Sequence, residues 1–274
     1  MSESVAAGDR TRIVCCVRQA LDWNLSTKDF RIDPQTQAPA VAFARYRIDQ
    51  FDEIALEVAL KARRMPSIEV HALSVASRSA EDVLKHALAM GADTAELVQD
   101  DDALSHSAAA LIAAAVHRSG GAAAVLCGRV GSERGSATTA PLVAELLGFP
   151  LVTNVVALEK TTAGWICRRE ATRGYERVLV RGPLVASVTN ASFNMPRVPT
   201  LKDKMRAHRQ MIEVIDARTL VSEAGYERCG LAALEVIRRY VPQLSREGRR
   251  LDGEIDEQAQ VLAEYISTAM EAVH

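Results

Sequence analysis

Short apolar runs alternate with stretches of helical period through the first half of the chain. Residues 12–17 (RIVCCV), 69–75, 94–98 and 123–127 (AAVLC) are mostly apolar over five to seven positions. Runs of that length fit strands buried on both faces. Between them, residues 49–65 place Ile54, Ala55, Val58, Ala59 and Ala62 on one helical face. Residues 79–91 carry Val83, Leu84, Ala87 and Leu88 at the same spacing, with Ser79 as the expected N-cap and Gly91 as the stop. An Ala-rich helix over 104–116 ends before Ser119-Gly120-Gly121. Strand and helix thus alternate, which predicts a mostly parallel, Rossmann-like α/β sheet with helices on both faces. Residues 18–40 show little periodicity and read as one long connection that includes Trp23. Ligands of such sheets bind at the carboxyl ends of strands. The loops after Val17, Val75 and Cys127 are therefore the candidate site.

The third of these loops carries the most chemistry. After Cys127 come Gly128 and a segment rich in Gly, Ser and Thr, and Pro141 then opens a helix that stops at Gly148. A loop feeding a helix N-terminus presents unpaired N–H groups and a partial positive charge. Ser132, Ser136, Thr138 and Thr139 add hydroxyls, and Arg129 or Arg134 a counter-charge. Together they make a candidate phosphate cradle, with Gly131 and Gly135 allowing close backbone approach. The bland alternative, a polar βα loop and nothing more, stays open at this level.

Beyond Pro150 the period changes. Residues 151–158, 165–172, 175–181 and 184–189 read as strands with short turns, an antiparallel hairpin extension of the same sheet. Residues 190–201 hold Pro196 and Pro199 and read as an exposed loop, followed by a basic turn with Lys202, Lys204, Arg206 and Arg209. Residues 211–215 complete the sheet. The pattern divides the chain into a flexible tail (1–11), an α/β domain (12–215) and a helical C-terminal arm (216–274). In the arm, Leu231, Leu234, Ile237 and Val241, and then Leu262, Tyr265, Ile266, Met270 and Val273, fit helix faces.

Composition narrows the function. With 33 basic and 35 acidic side chains the net charge is −2, which gives no footprint for nucleic acid. No run of 18 apolar residues suggests membrane insertion, and the amino terminus lacks the apolar core of a secretory signal. Five cysteines (Cys15, Cys16, Cys127, Cys167, Cys229) with no C-x-x-C spacing read as reduced thiols of a cytoplasmic protein, not a metal site or disulfide framework. The acidic run at 100–102 reads as a solvated loop. The six histidines are scattered, and no nucleophile stands beside a base, so no catalytic residue and no metal are expected.

Several segments together resemble one known family, the β subunit of electron transfer flavoprotein. They are IVCCVRQ from Ile13, FDEIALE from Phe51, ALAMGAD from Ala87, LCGR from Leu126 with PLVAELLG from Pro141, and NMPR from Asn194. The likeness covers residues 12–215. It implies an electron-transfer subunit, not an enzyme, paired with an α subunit that holds most of the redox FAD. It further implies a buried AMP, or a second FAD in its place. The family's nucleotide contacts fall on Cys16, Asp49, Val75 and the loop from Gly128, and its flavin-edge aromatics on Trp23 and Phe51. Its docking loop for flavin dehydrogenases falls on residues 197–206, with Arg197 at its start, Leu201 as anchor and Lys202, Lys204 and Arg206 around it. A quinone oxidoreductase is the implied kind of acceptor. This chain departs from the family's usual Asn at position 49 and Pro at position 50. The alternative is an ATP-binding module or adenylating enzyme of the related nucleotide-hydrolase folds. It would want Ser-Gly-Gly-x-Asp-Ser after the first strand, where Arg18-Gln-Ala-Leu-Asp-Trp stands.

Overall fold

The structure is a computed structural model. It describes residues 11–22, 24, 30–35, 39–41, 45–63, 68–100, 105–133, 135–224, 238–241, 248 and 250–271. Trp23, Arg134, the acids at 101–102 and most of the first arm segment, 225–237, lie outside them.

In chain order the elements are β1 (Thr11–Cys16), β2 (Gln19–Leu21), β3 (Phe30–Ile32), β4 (Pro39–Val41), β5 (Tyr46–Ile48), α1 (Gln50–Ala62) and β6 (Ile68–Ala76). Then follow α2 (Glu81–Met90), β7 (Thr94–Gln99), α3 (Ser105–Arg118), β8 (Ala124–Gly128) and α4 (Thr139–Leu147). The second half holds β9 (Leu151–Thr161), β10 (Gly164–Ala171), β11 (Gly174–Val180), β12 (Leu184–Val188), α5 (Leu201–Arg209), β13 (Glu213–Asp216), α6 (Ala217–Ala224) and α7 (Ile255–Glu271).

One nine-stranded sheet forms the centre, in the order β11-β10-β9-β12-β8-β1-β6-β7-β13. The strands from β12 to β13 are mutually parallel, as the alternating pattern predicts. Strand alternation splits the core in two. Ile13 and Cys15 of β1, with Ala124 and Leu126 of β8, face α1 and α2. Val14, Cys16, Val125 and Cys127 face α3, α4 and α6. Each strand is buried on both sides, so the runs carry no polar alternation.

Three features differ from the sequence reading. The expected long connection, together with the residues up to Ile48, holds two small two-stranded sheets, β2 with β5 and β3 with β4. Their strands are three residues each, too short for periodicity to register. The last strand of the second half, β12, is not part of the antiparallel extension. It inserts between β8 and β9, parallel to both, leaving β9, β10 and β11 as the antiparallel part. Ser79 does not cap α2. A 3-10 turn over Arg78–Ala80 leads into that helix, and the Ser79 hydroxyl donates to Gln19 instead.

The chain divides into two compact units, Met1–Phe30 with Val41–Val236, and Arg31–Ala40 with Ile237–His274. In the first, α6 buries Ala217 and Leu220 in the core beside α3. In the second, α7 spans 17 residues and buries none of them. Leu262, Tyr265, Ile266 and Met270 on that helix are exposed.

The segment between β12 and α5 lacks regular structure but is pinned to α1. Glu57 of α1, only 3% exposed, accepts from Arg197 Nε at 2.8 Å, Arg197 Nη2 at 3.1 Å and the Arg197 backbone N–H at 3.2 Å. Lys61, one turn on, donates to the Phe193 carbonyl at 2.7 Å. A buried carboxylate that loses its guanidinium is left uncompensated. Arg197→Ala should therefore cost about 1–3 kcal/mol, read as a lower urea midpoint. Lys202→Ala on the exposed helix beyond should stay within about 0.5 kcal/mol.

Candidate functional site

The chain runs β1, β6, β7 to one side of the sheet and then crosses back to β8 on the other. The carboxyl ends of β1 and β8 therefore flank a topological switch point, where open α/β sheets bind ligands. A cleft opens there, lined among others by Cys16, Arg18, Val75, Gly128, Arg129 and Ser136. It encloses ≈ 680 Å³ of space, counting its open mouth.

Two carboxylates at the start of α1 build its wall. Asp49, fully buried, is the N-cap and accepts from the Phe51 N–H at 3.1 Å. It also accepts from Arg18 Nη2 at 2.8 Å, the Ser132 N–H at 2.8 Å and the Ser132 hydroxyl at 2.6 Å. Asp52, one turn further, accepts from the Gly128 N–H at 2.9 Å and the Arg18 N–H at 3.0 Å. The helix start thus ties together the ends of β1 and β8 and the loop after β8. This approach is why position 128 is glycine. A Cβ there would stand 2.5 Å from Asp52 Oδ1 and 2.8 Å from the Phe51 backbone.

The two acids titrate in opposite directions. For Asp49, burial opposes ionisation, but the hydrogen bonds from Ser132 and Arg18 outweigh it and lower its pKa. For Asp52, burial and then the Asp49 charge raise the pKa from 3.8 to about 7, against the pull of Arg18 and the two N–H donors. Arg18 is partly desolvated, yet Asp49 and Asp52 hold it firmly protonated. The nearby thiols are inert. Cys16 is raised well above its ordinary value by its hydrogen bond with Cys127 and then by burial, and Cys15 by burial and then by Asp52.

Of the residues singled out in the sequence, Cys16, Val75, Gly128, Arg129, Gly131, Ser136 and Thr139 line the cleft. Phe51 stands at its edge with the Arg129 guanidinium 5.3 Å from its ring centre. Asp49 and Ser132 satisfy each other in the wall. Gly131 faces the Arg18 guanidinium, where a Cβ would lie 2.5 Å from Nη2. Gly135 has φ +65 and open space around it, so it serves the turn. Thr138 precedes α4 and donates to the Ser136 hydroxyl at 3.2 Å. Trp23 is outside the described residues. Lining residues that were not site candidates in the sequence include Arg18, Asp52 and Ala137, the last at φ 54, rare for a non-glycine. The D-x-x-D spacing of Asp49 and Asp52 at a helix start was the available signal.

The residues expected from the sequence to dock a partner lie elsewhere in the first unit. Thr200 caps α5 through a reciprocal pair with Asp203. Leu201 is 75% exposed at the helix start, near exposed Val198 and Met205. Arg206 pairs with Asp203 at 3.1 Å, Lys202 and Lys204 are exposed, and Arg197 is held by Glu57. Among the described residues no helix is long and apolar enough to cross a membrane, and no cluster of side chains could hold a metal ion.

Comparison with known proteins bears on the whole of this arrangement. The electron transfer flavoprotein domain family matches residues 41–220. The chain belongs to the electron transfer flavoprotein family. The electron transfer flavoprotein subunit beta of Syntrophomonas wolfei is 28% identical over 262 residues, 94% of this chain and 97% of that protein. That of Bacillus subtilis is 28% identical over 233 residues, 84% and 89% of the two chains. The caffeyl-CoA reductase-Etf complex subunit CarD of Acetobacterium woodii is 28% identical over 248 residues, 88% and 92%. The chain is thus an electron-transfer protein of the β-subunit kind and not an enzyme.

The raised pKa of Asp52 has a consequence for this flavoprotein subunit. Between pH 3.8 and about 7 the folded chain keeps that proton while the unfolded chain releases it. Stability from this group therefore falls as pH rises through the window and is level above it. Asp49 has the reverse sign, its contribution being lost as pH falls. Urea midpoints of the native chain should show the Asp52 decline, and Asp52→Asn should flatten it. A decline that persists in the variant would assign the titration to another group.

Proposed function

We propose that this chain is the β subunit of a heterodimeric electron transfer flavoprotein. Paired with an α subunit, it helps pass electrons from a flavin dehydrogenase to a downstream acceptor such as a quinone oxidoreductase. The bound flavin, shared with α, would supply the electron-carrying group. The cleft at the switch point would hold an adenine nucleotide, AMP or a second FAD.

The observation that carries the nucleotide reading is the fit of the cleft to a phosphate. Two carboxylates in the wall could oppose an anion, and of these Asp49 is already neutralised by Arg18 and turned to Ser132. Asp52 has a pKa of about 7 and is half protonated near neutrality. Arg129 is exposed beside the cleft, and Ser136 and Thr139 offer hydroxyls. Thr138 makes no side-chain cap on α4, so the first N–H groups of that helix are left for an anion.

The test is the content of the complex purified after co-expression with an α subunit. The complex should be yellow, and denaturation should release an adenine nucleotide besides the flavin, identified by mass. Gly131→Val would push the Arg18 guanidinium into the cleft and should abolish that nucleotide. Retention of full nucleotide content by the variant would move the binding site elsewhere.

The same proposal assigns dehydrogenase docking to the start of α5. Leu201 is an exposed apolar anchor ringed by Lys202, Lys204 and Arg206, the arrangement of a small transient interface. Leu201→Ala would remove roughly 1–3 kcal/mol of anchor burial. The half-saturating concentration of the complex in dehydrogenase turnover should rise about fivefold or more, with the flavin spectrum unchanged. The part due to the lysines should fade with added salt. An unaltered half-saturation would exclude this helix as the dock.

A further inference from the structure

Asp49 and Asp52 are not equivalent toward a ligand. Asp52 lines the cleft at the switch point, whereas Asp49 is fully buried and does not. The Arg18 side chain is committed to Asp49, with Nη2 2.8 Å from its carboxylate. Among the described residues, Asp52 receives only the backbone N–H groups of Gly128 and Arg18. Two carboxylates one helical turn apart, with one guanidinium between them, leave a negative charge in the wall without a side-chain partner.

The other groups around Asp52 do not supply the missing cation. From β1 come the Cys15 and Cys16 thiols, whose raised pKa values keep them neutral. From β8 comes the Cys127 thiol, and beyond it Arg129, turned over the Phe51 ring. Glu133 of the following loop adds a further negative charge near Arg18 and accepts from the Leu21 N–H at 3.0 Å. Glu53, next on α1, is turned to His86 of α2 at 2.9 Å. The lining residues from β6, α3 and α4 (Leu73, Val75, Ala108, Ile112 and Thr139) carry no titratable group. Ionised, Asp52 sets a negative charge against any phosphate in this cleft. Protonated, it is neutral and offers an O–H donor.

We propose that Asp52 couples this site to the proton: the cleft takes up a proton on Asp52 when it binds a phosphate-bearing nucleotide, and holds that nucleotide more loosely as pH rises. The inference rests on the nucleotide reading of the cleft and adds its regulation. A phosphate in the cleft opposes ionisation of Asp52, as Asp49 already does, and strengthens its hold on the proton. The free site releases that proton at about pH 7. Affinity is therefore highest below that pH and falls above it by up to about tenfold per pH unit, until the bound site loses its proton as well. The second ionisation of a phosphate monoester lies at about 6, so the ligand's own charge changes little over this range.

The test is equilibrium dialysis of labelled AMP against the complex co-expressed with an α subunit, first dialysed free of its own nucleotide. Between about pH 7 and about pH 9 the affinity should fall about fivefold or more. AMP added to the complex in weak buffer should turn the solution more alkaline. Adenosine, which lacks the phosphate, should show neither effect. In Asp52→Asn, whose neutral amide stands in for the protonated acid, AMP affinity should no longer change with pH. The proton uptake of the unaltered complex decides the matter if that variant fails to fold. AMP binding with no pH dependence and no proton uptake would overturn this inference alone, and so would an equal pH dependence for adenosine. Failure of AMP to bind at any pH would overturn the nucleotide reading with it.

Discussion

The start of α1 holds this molecule's site together. Two carboxylates one helical turn apart, Asp49 and Asp52, collect six donors, one from α1 itself and five from three separate segments: the end of β1, the end of β8 and the loop that follows it. A parallel sheet needs something of this kind. Its strands diverge at the switch point, and the backbone groups at their carboxyl ends have no ladder partner there. A helix start brings acceptors and a partial positive charge to the same place. It can satisfy the strand ends and still leave an anion-friendly opening beside them.

That arrangement explains the opposed behaviour of the two acids. Asp49 is surrounded by donors and stays ionised; Asp52 is desolvated by burial, then opposed by the Asp49 charge, and has fewer donors, so it keeps its proton to about pH 7. Both cannot be comfortable as anions in one wall. Arg18 offsets the pair, and in doing so it takes the space next to Gly131. The loop after β8 is therefore shaped by the protein's own salt bridge before any ligand arrives.

The second half of the chain is held to the first by the same helix. Glu57 and Lys61, on the turns after Asp52, fix Arg197 and the Phe193 carbonyl. The segment leading to the exposed Leu201 is irregular in backbone yet anchored at defined points. Exposed apolar residues on a short capped helix, carried by an anchored segment, can present a repeatable contact surface without being part of the core.

The sequence alone was enough for the parallel α/β core, because strands buried on both faces appear as uninterrupted apolar runs and helices as a 3.6-residue period. It was enough, through the segments around Ile13, Phe51, Ala87, Pro141 and Asn194, for the family. It also marked the loops where the cleft lies, since ends of parallel strands are predictable once the strands are. Tertiary structure decided the rest. Strand order is not periodic, so nothing local places β12 between β8 and β9, and three-residue strands such as β2 and β5 carry too few positions to show a period. Likewise Ser132 reads as a phosphate ligand from its composition, but its partner is Asp49, 83 residues away in the chain. Arg18 and Asp52 acquire their roles only because the fold sets them side by side.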